Sequence, residues 1–341
     1  MKGVNVNTLY LNKNQTDEAA NILKNGGIVA IPTETVYGLA ANAFNESAVK
    51  NIFKAKGRPS DNPLIVHISK INDIFKVVSE FPEKAQKLAE KFWPGPLTMI
   101  IPKNENVPHC VTGGMDSVAV RFPNHEIARM IIEKSGVPLV APSANISGRP
   151  SPTKFEHVVN DLSGKVDAVI DGVDCKVGVE STVLSLLNET PIILRPGLIT
   201  KEEISKVIGK VEISPLVLKA PEKGEKIISP GMKYKHYSPE TEVVMISGSS
   251  ENYSQYVNSK DSENSGALCF EEDIPFLKVP YISYGKRNCP EEQAKNLFDA
   301  LRKSDKLNVN TVYAHFESEN EVSAAICNRL VRAAGFKWIK V

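Results

Sequence analysis

The strongest constraint in this chain is a rhythm confined to its first two hundred residues. Short apolar, β-branched runs recur at Gly27–Ile31, Leu64–Ile68, Leu97–Ile101, Ser117–Arg121, Pro138–Ala141, Ala168–Ile170, Ser181–Leu186 and Ile192–Leu194. Runs of this length bounded by turn residues predict strands. Between several of them lie helical patterns at Thr16–Asn25, Ser47–Lys56, Pro82–Phe92 and Glu126–Ser135, some opened by Asp, Ser or Pro. The product is a sheet with helices packed against it.

The rhythm fades from about Val211 to Glu240, where Pro, Lys and Gly gather in PLVLKAPEKGEKIISPGMKYKHYSPE, a composition that reads as a linker. It returns beyond, with strands predicted at Glu242–Ile246, Ala267–Phe270, Val279–Ile282 and Val309–Phe316 and helices at Gln293–Lys303 and Glu321–Ala334. The sequence thus predicts a first α/β domain over 1–210, a linker over 211–240 and a small α/β domain with a largely parallel sheet over 241–341. A length of 341 residues suits two cores, and 42% hydrophobic with 24% charged residues can fill both.

Lysine plus arginine (41) and aspartate plus glutamate (40) nearly cancel, so no whole-chain field marks a nucleic-acid or membrane surface and any anionic ligand must be met locally. The five cysteines are scattered and never paired as CxxC, which argues against a disulfide framework and a zinc site and fits a reducing compartment. The start, MKGVNVNTLYLNKNQ, lacks a signal peptide's apolar segment, and no window suits a membrane helix. A cytoplasmic location without membrane attachment is the expectation.

Where an apolar run ends in the first domain, polar, Pro and Gly residues follow at once, as in PTETVYGL from Pro32, PSANISG from Pro142 and RPG from Arg195. Ligands of open α/β sheets bind beyond strand ends, where such loops converge. In KAKGRPSDNPL, Lys56 and Arg58 flank a glycine, and the arrangement suits phosphates, although a solvated helix end has the same composition. His67 interrupts an apolar strand, where a lone histidine is more often structural than catalytic. Arg121 ends another, and a buried arginine needs a carboxylate or phosphate partner. Ser143, Ser147, Ser151 and Ser181 by themselves read equally well as turn and capping residues. Phosphate-loop, dinucleotide, nucleophile-elbow and HExxH motifs are absent.

In order and spacing, PTETVYGL, KAKGRPSDNPLIVHI, FWPGPLT, VAVRFPNH, APSANISGRPSPT, GVESTV and ILRPG resemble the threonylcarbamoyl-AMP synthase family, and SPGMKYKHYSP followed by a further α/β domain resembles its two-domain form. The resemblance implies a mixed, twisted open sheet with flanking helices (YrdC-like), a central groove, and a smaller Rossmann-like C-terminal domain. It implies synthesis of threonylcarbamoyl-AMP and pyrophosphate from L-threonine, bicarbonate and ATP, with magnesium accompanying the ATP. The product would pass to a tRNA threonylcarbamoyl transferase, direct RNA binding remaining open. It assigns Thr35, His67, Arg121 and Ser181 to threonine, and Lys56, Arg58, Asn62, Ser143, Asn145, Ser151, Arg195, His236 and Tyr237 to the nucleotide, with Lys56 and Arg58 as the catalytic pair and no protein metal ligand. Residues 229–239 would form a flap over the groove. The alternatives are an RNA-binding module, against which the balanced charge speaks, and a carbamoyl-adenylate enzyme acting on carbamoyl phosphate, whose relatives carry zinc-finger segments that this chain lacks.

Overall fold

The computed structural model describes residues 6–219, 236–317 and 322–341. Residues 229–235 of the expected flap, and Glu321 at the start of an expected helix, lie outside the described residues.

Among the described residues the first sheet has eleven strands: β1 (Leu9–Asn12), β2 (Val29–Ile31), β3 (Gly38–Asn42), β4 (Ile65–His67), β5 (Leu97–Pro102), β6 (Ser117–Arg121), β7 (Leu139–Val140), β8 (Ala168–Asp171), β9 (Thr182–Ser185), β10 (Ile192–Arg195) and β11 (Glu212–Ile213). Helices α1 (Thr16–Lys24), α2 (Glu46–Lys56), α3 (Glu83–Phe92), α4 (His109–Thr112), α5 (Glu126–Ser135), α6 (Phe155–Leu162) and α7 (Lys201–Ile208) flank it. The strand order is β1-β8-β2-β3-β7-β4-β6-β5-β9-β10-β11, an open mixed sheet in which β4 and β6 run parallel while β5 and β6 run antiparallel. Strands β6 and β9 are buried along their whole length, as expected for apolar runs covered on both faces.

The predicted strands of this sheet all form, but β1, β3 and β11 were not legible. GLAAN in β3 is built of residues with low strand propensity, and its pairing with β2 and β7 overrides that preference. Residues at the start of the predicted linker still belong to the sheet: β11 pairs with β10, and Val211 is buried in the core.

The second sheet is wholly parallel. Strands β12 (Glu242–Ser247), β13 (Ser265–Cys269), β14 (Tyr281–Ser283), β15 (Thr311–His315) and β16 (Trp338–Lys340) lie in the order β14-β13-β15-β12-β16. Helices α9 (Pro290–Ser304) and α10 (Ser323–Ala333) share one apolar cluster with Val243, Met245 and Leu268, whereas α8 (Ser250–Asn258) shares another with Ile246, Ala267 and Cys269. The alternation along β12 and β13 therefore separates two covered faces.

The two units share a core. Val36 and Val179 of the first sit in the cluster built by α9 and α10. At Gly178 (φ +80°) a Cβ would stand 2.3 Å from the Lys295 Cα and 2.5 Å from the Ala294 carbonyl oxygen, so the loop before β9 touches the backbone of α9 itself. The buried Asp161 on α6 receives Arg302 of α9 at 2.8 Å.

Candidate active site

Several strand and helix ends of the first unit meet at one cavity. Parallel pairing of β4 with β6 sets His67 beside Arg121 in register, and antiparallel pairing of β5 with β6 sets Thr98 across from Arg121. Ser181 stands just before β9 and Arg195 ends β10. Helix α2 opens at Asn45, whose side chain accepts from the Ala48 N–H, and closes at Gly57, whose φ of +61° suits the residue without a side chain. That stop leaves Lys56 and Arg58 on either side of the turn. The cavity is lined by Thr35, Arg58, His67, Arg121, Ser143, Ser181, Arg195, His236 and Tyr237 of the sequence-predicted residues, together with Glu180. Lys56, Asn62, Asn145 and Ser151 are buried but do not line it.

At one end, Arg121 donates from Nη1 to Thr35 Oγ1 at 2.9 Å and pairs through Nη2 with Glu34 at 2.7 Å. Burial alone would raise the Glu34 carboxyl, but the charge of Arg121 and hydrogen bonds from Asn124 and Arg121 outweigh it and hold the pKa low. Glu34 Oε2 keeps no hydrogen-bond partner among the described residues. The Ile65 carbonyl can only accept, so His67 donates to it from Nδ1 at 3.2 Å, and Nε2 carries the lone pair. Burial, reinforced by Arg121, pushes the His67 pKa down to about 3, so the ring is neutral. This end is electrically compensated and presents hydroxyl, imidazole and guanidinium groups.

The other end is cationic. Arg58 donates from Nη2 to the Pro63 carbonyl at 3.1 Å, its Nε has no partner among the described residues, and burial lowers its pKa only to about 10, which leaves it charged near neutrality. Arg195 donates to the Ser181 carbonyl and to Ser181 Oγ, both at 3.1 Å, and that hydroxyl also meets Thr98 Oγ1 at 2.7 Å. Burial takes the His236 pKa down to about 3, and His236 Nδ1 is unpartnered among the described residues. Tyr237, at φ +65°, tilts against Phe298 of α9 with ring centroids 5.1 Å apart, tying the end of the linker to the second unit.

Lys56 differs from its sequence-based expectation. Its ammonium is turned onto the carbonyl oxygens of Ser143 and Asn145, the latter at 2.6 Å, and onto Asn145 Oδ1 at 3.5 Å. Three acceptors match the three N–H donors of an ammonium, while burial pushes its pKa well below the ordinary value. In this conformation Lys56 clamps the loop that presents Ser143. Asn145 completes the clamp by donating to the carbonyls of Ile146 and Arg149, and Asn62 is buried. Ser151 donates at 2.5 Å to Glu180 and so reaches the cavity through it.

Sequence reasoning missed Glu34 and Glu180, although both lie inside the motifs PTETVYGL and GVESTV, where an acidic residue among apolar and hydroxyl neighbours is a usable signal. It also missed Arg329 of α10, which donates from Nε to Glu180 at 3.0 Å and from Nη1 to the Pro196 carbonyl at 2.6 Å. One arginine on an amphipathic helix carries no such signal. With Arg329 and Arg195 nearby and Ser151 donating, the Glu180 pKa falls to about 2 against the upward pull of burial.

A cavity with an electrically compensated end beside a cationic one, on an open mixed α/β sheet, suits an enzyme that handles a small charged molecule together with a polyanion. A family model described as "Telomere recombination" (Sua5, YciO and YrdC) matches residues 21–197, and one described as "Threonylcarbamoyl-AMP synthase, C-terminal domain" matches residues 199–335. Threonylcarbamoyl-AMP synthase of Pyrococcus abyssi is 46% identical, with 95% of each chain covered, and that of Bacillus subtilis is 45% identical over 97% of this chain and 96% of its own. The crystal structure of P. abyssi Sua5 complexed with L-threonine superposes with a TM-score of 0.90 at 42% identity, covering 98% of this chain and all of that one. Escherichia coli YciO, at 21% identity and a TM-score of 0.51, shares the fold. The chain belongs to the threonylcarbamoyl-AMP synthase family.

Proposed function

We propose that this chain joins L-threonine, bicarbonate and ATP into threonylcarbamoyl-AMP, a nucleotidyl transfer that releases pyrophosphate and water. The observation that carries the nucleotide half is the buried, charged Arg58 with an unmet N–H beside Arg195, since such a donor is costly unless an anion meets it. The threonine half rests on the pairing of neutral His67 with Arg121, together with the family's threonine-bound relative.

In the first step the threonine amine, having lost its proton, forms an N–C bond to bicarbonate carbon as water leaves, giving a carbamate. His67 Nε2 accepts a hydrogen bond from the amine and holds it, while Arg121 and Thr35 orient the carboxylate and Ser181 the hydroxyl end. A carbamate oxygen then attacks the α-phosphorus of ATP and the bond to the β-phosphate oxygen breaks. Arg58 and Arg195 stabilise the charge that develops on pyrophosphate, and Lys56 keeps the Ser143 loop in place. No covalent intermediate on the protein is needed.

Magnesium accompanies the ATP in this reading. Among the described residues no three His, Cys, Asp or Glu side chains converge to hold a metal, and Glu180 at the wall is committed to Ser151 and Arg329, so phosphates and water would supply the ligands. Transfer of the product to a tRNA-modifying transferase, in the cytoplasm, completes the proposal. No helix among the described residues is long and apolar enough to cross a membrane.

The test is pyrophosphate release from ATP and magnesium with bicarbonate and L-threonine each omitted in turn. Release that needs both, and drops when serine replaces threonine, supports the reading. Release indifferent to threonine, or none under any combination, rejects it, and steeply salt-dependent tRNA affinity would then favour an RNA-binding role.

A further inference from the structure

Arg329 heads the largest side chains fully removed from solvent among the described residues, and it belongs to α10 of the second unit, not to the unit that forms most of the cavity. Within α10 its Nη1 also donates to Asn328 Oδ1 at 3.1 Å and the Ala325 carbonyl at 3.4 Å, but the rest of its fork reaches into the first unit. Nε reaches Glu180 Oε2 at 3.0 Å, Nη2 the Glu180 carbonyl at 3.2 Å, and Nη1 the Pro196 carbonyl at 2.6 Å. Glu180 precedes Ser181 and Pro196 follows Arg195, so one guanidinium pins the backbone beside both of these cavity residues. The two segments are packed hard together: a Cβ on Gly197 would stand 2.3 Å from the Thr182 nitrogen.

The charge arrangement matters as much as the backbone. Glu180 lines the cavity with Arg58, Arg195 and His236, and a buried carboxylate in that company is a ready partner for either arginine. Its two oxygens are instead taken by Ser151 and Arg329. Without Arg329, the carboxylate would be left to compete with the phosphates for the same cations.

Resting on the activity proposed above, we infer that Arg329 is a positioning residue for the nucleotide end, supplied by the second unit: it takes up Glu180 so that Arg58 and Arg195 face the phosphates. The threonine end, whose own carboxylate Glu34 is paired inside the first unit, depends on it only through the backbone at Ser181.

The experiment uses the full-length chain with Arg329→Met, Arg329→Lys, Glu180→Gln, and the double variant Glu180→Gln/Arg329→Met, in threonine-dependent pyrophosphate release and in calorimetric binding of a non-hydrolysable ATP analogue, with the thermal midpoint followed throughout. Arg329→Met should raise the KM for ATP about tenfold or more while the KM for threonine moves less than about threefold, and removing the competing carboxylate in the double variant should recover most of the loss. Arg329→Lys keeps the charge without the fork and should raise the ATP KM less than Arg329→Met does, by under about tenfold. Equal loss at both substrates, no loss at all, or a folded double variant no better than the single one overturns the inference, and so does a folded lysine variant that loses ATP tenfold. Should Arg329→Met not fold, the lysine and double variants decide it. If the wild-type chain shows no threonine-dependent release, the proposed activity fails on its own, and the calorimetric arm still decides whether Arg329 governs nucleotide affinity.

Discussion

The two ends of the cavity solve the same problem, a buried arginine, in opposite ways. At the end proposed for threonine Arg121 is neutralised within its own unit by Glu34, and His67 is uncharged, so the wall is close to neutral. At the end proposed for the nucleotide Arg58 and Arg195 stand together and the one carboxylate at the wall among the described residues, Glu180, is drawn off by an arginine from the other unit. A zwitterion needs a polar but balanced wall, whereas a triphosphate needs surplus positive charge. The difference lies less in which residues are present than in where each carboxylate finds its partner.

The largest test of this contrast is Arg121→Ala. It strands a buried carboxylate, so the chain should lose about 3–5 kcal/mol of stability in denaturant unfolding as well as threonine saturation. Arg121→Ala with Glu34→Gln should regain much of the stability but not the threonine binding. Next is Arg58→Ala: losing a charge-assisted contact to phosphate should cost about 2–3 kcal/mol in kcat/KM for ATP, with little change in folding or in the threonine KM. If ATP and threonine suffer alike, the division of the cavity into two ends is wrong. Ser181→Ala touches the seam between them, because Ser181 Oγ meets Arg195 and Thr98, and should cost about 1 kcal/mol at both substrates.

The smallest effect is in pH. His67 and His236 have folded pKa values of about 3, below the ordinary 6.5, so the unfolded chain binds more protons between those limits. Stability should therefore be level above pH 6.5 and decline as pH falls below it, by at most about 1.4 kcal/mol per pH unit per histidine. Denaturant unfolding between about pH 5 and 7 isolates these histidines from Glu34 and Glu180, which titrate lower. His67→Gln should lessen the slope by that ring's share, His236 and His125 keeping theirs, and a slope unchanged by that substitution would mean that the ring is not held neutral.

Much of the first sheet was legible because its strands are apolar enough to show against polar loops. Arg121 was legible for the same reason: a permanent charge ending the run SVAVR must find a partner. The sequence could not say that the partner within the chain is Glu34, because that pairing joins residues 87 apart through strand order. Lys56 was read for its charge, yet its surroundings turn that charge onto two carbonyl groups. Strand β3 was hidden by its small residues, and the role of Arg329 exists only where α10 meets the loop before β9.

That same loop limits what the docking of the two units can tolerate at Gly178. With the backbone of α9 in the space a side chain would take, the position can acquire one only if the second unit draws away. A side chain introduced at 178 would therefore act as a wedge between the two units, loosening their docking.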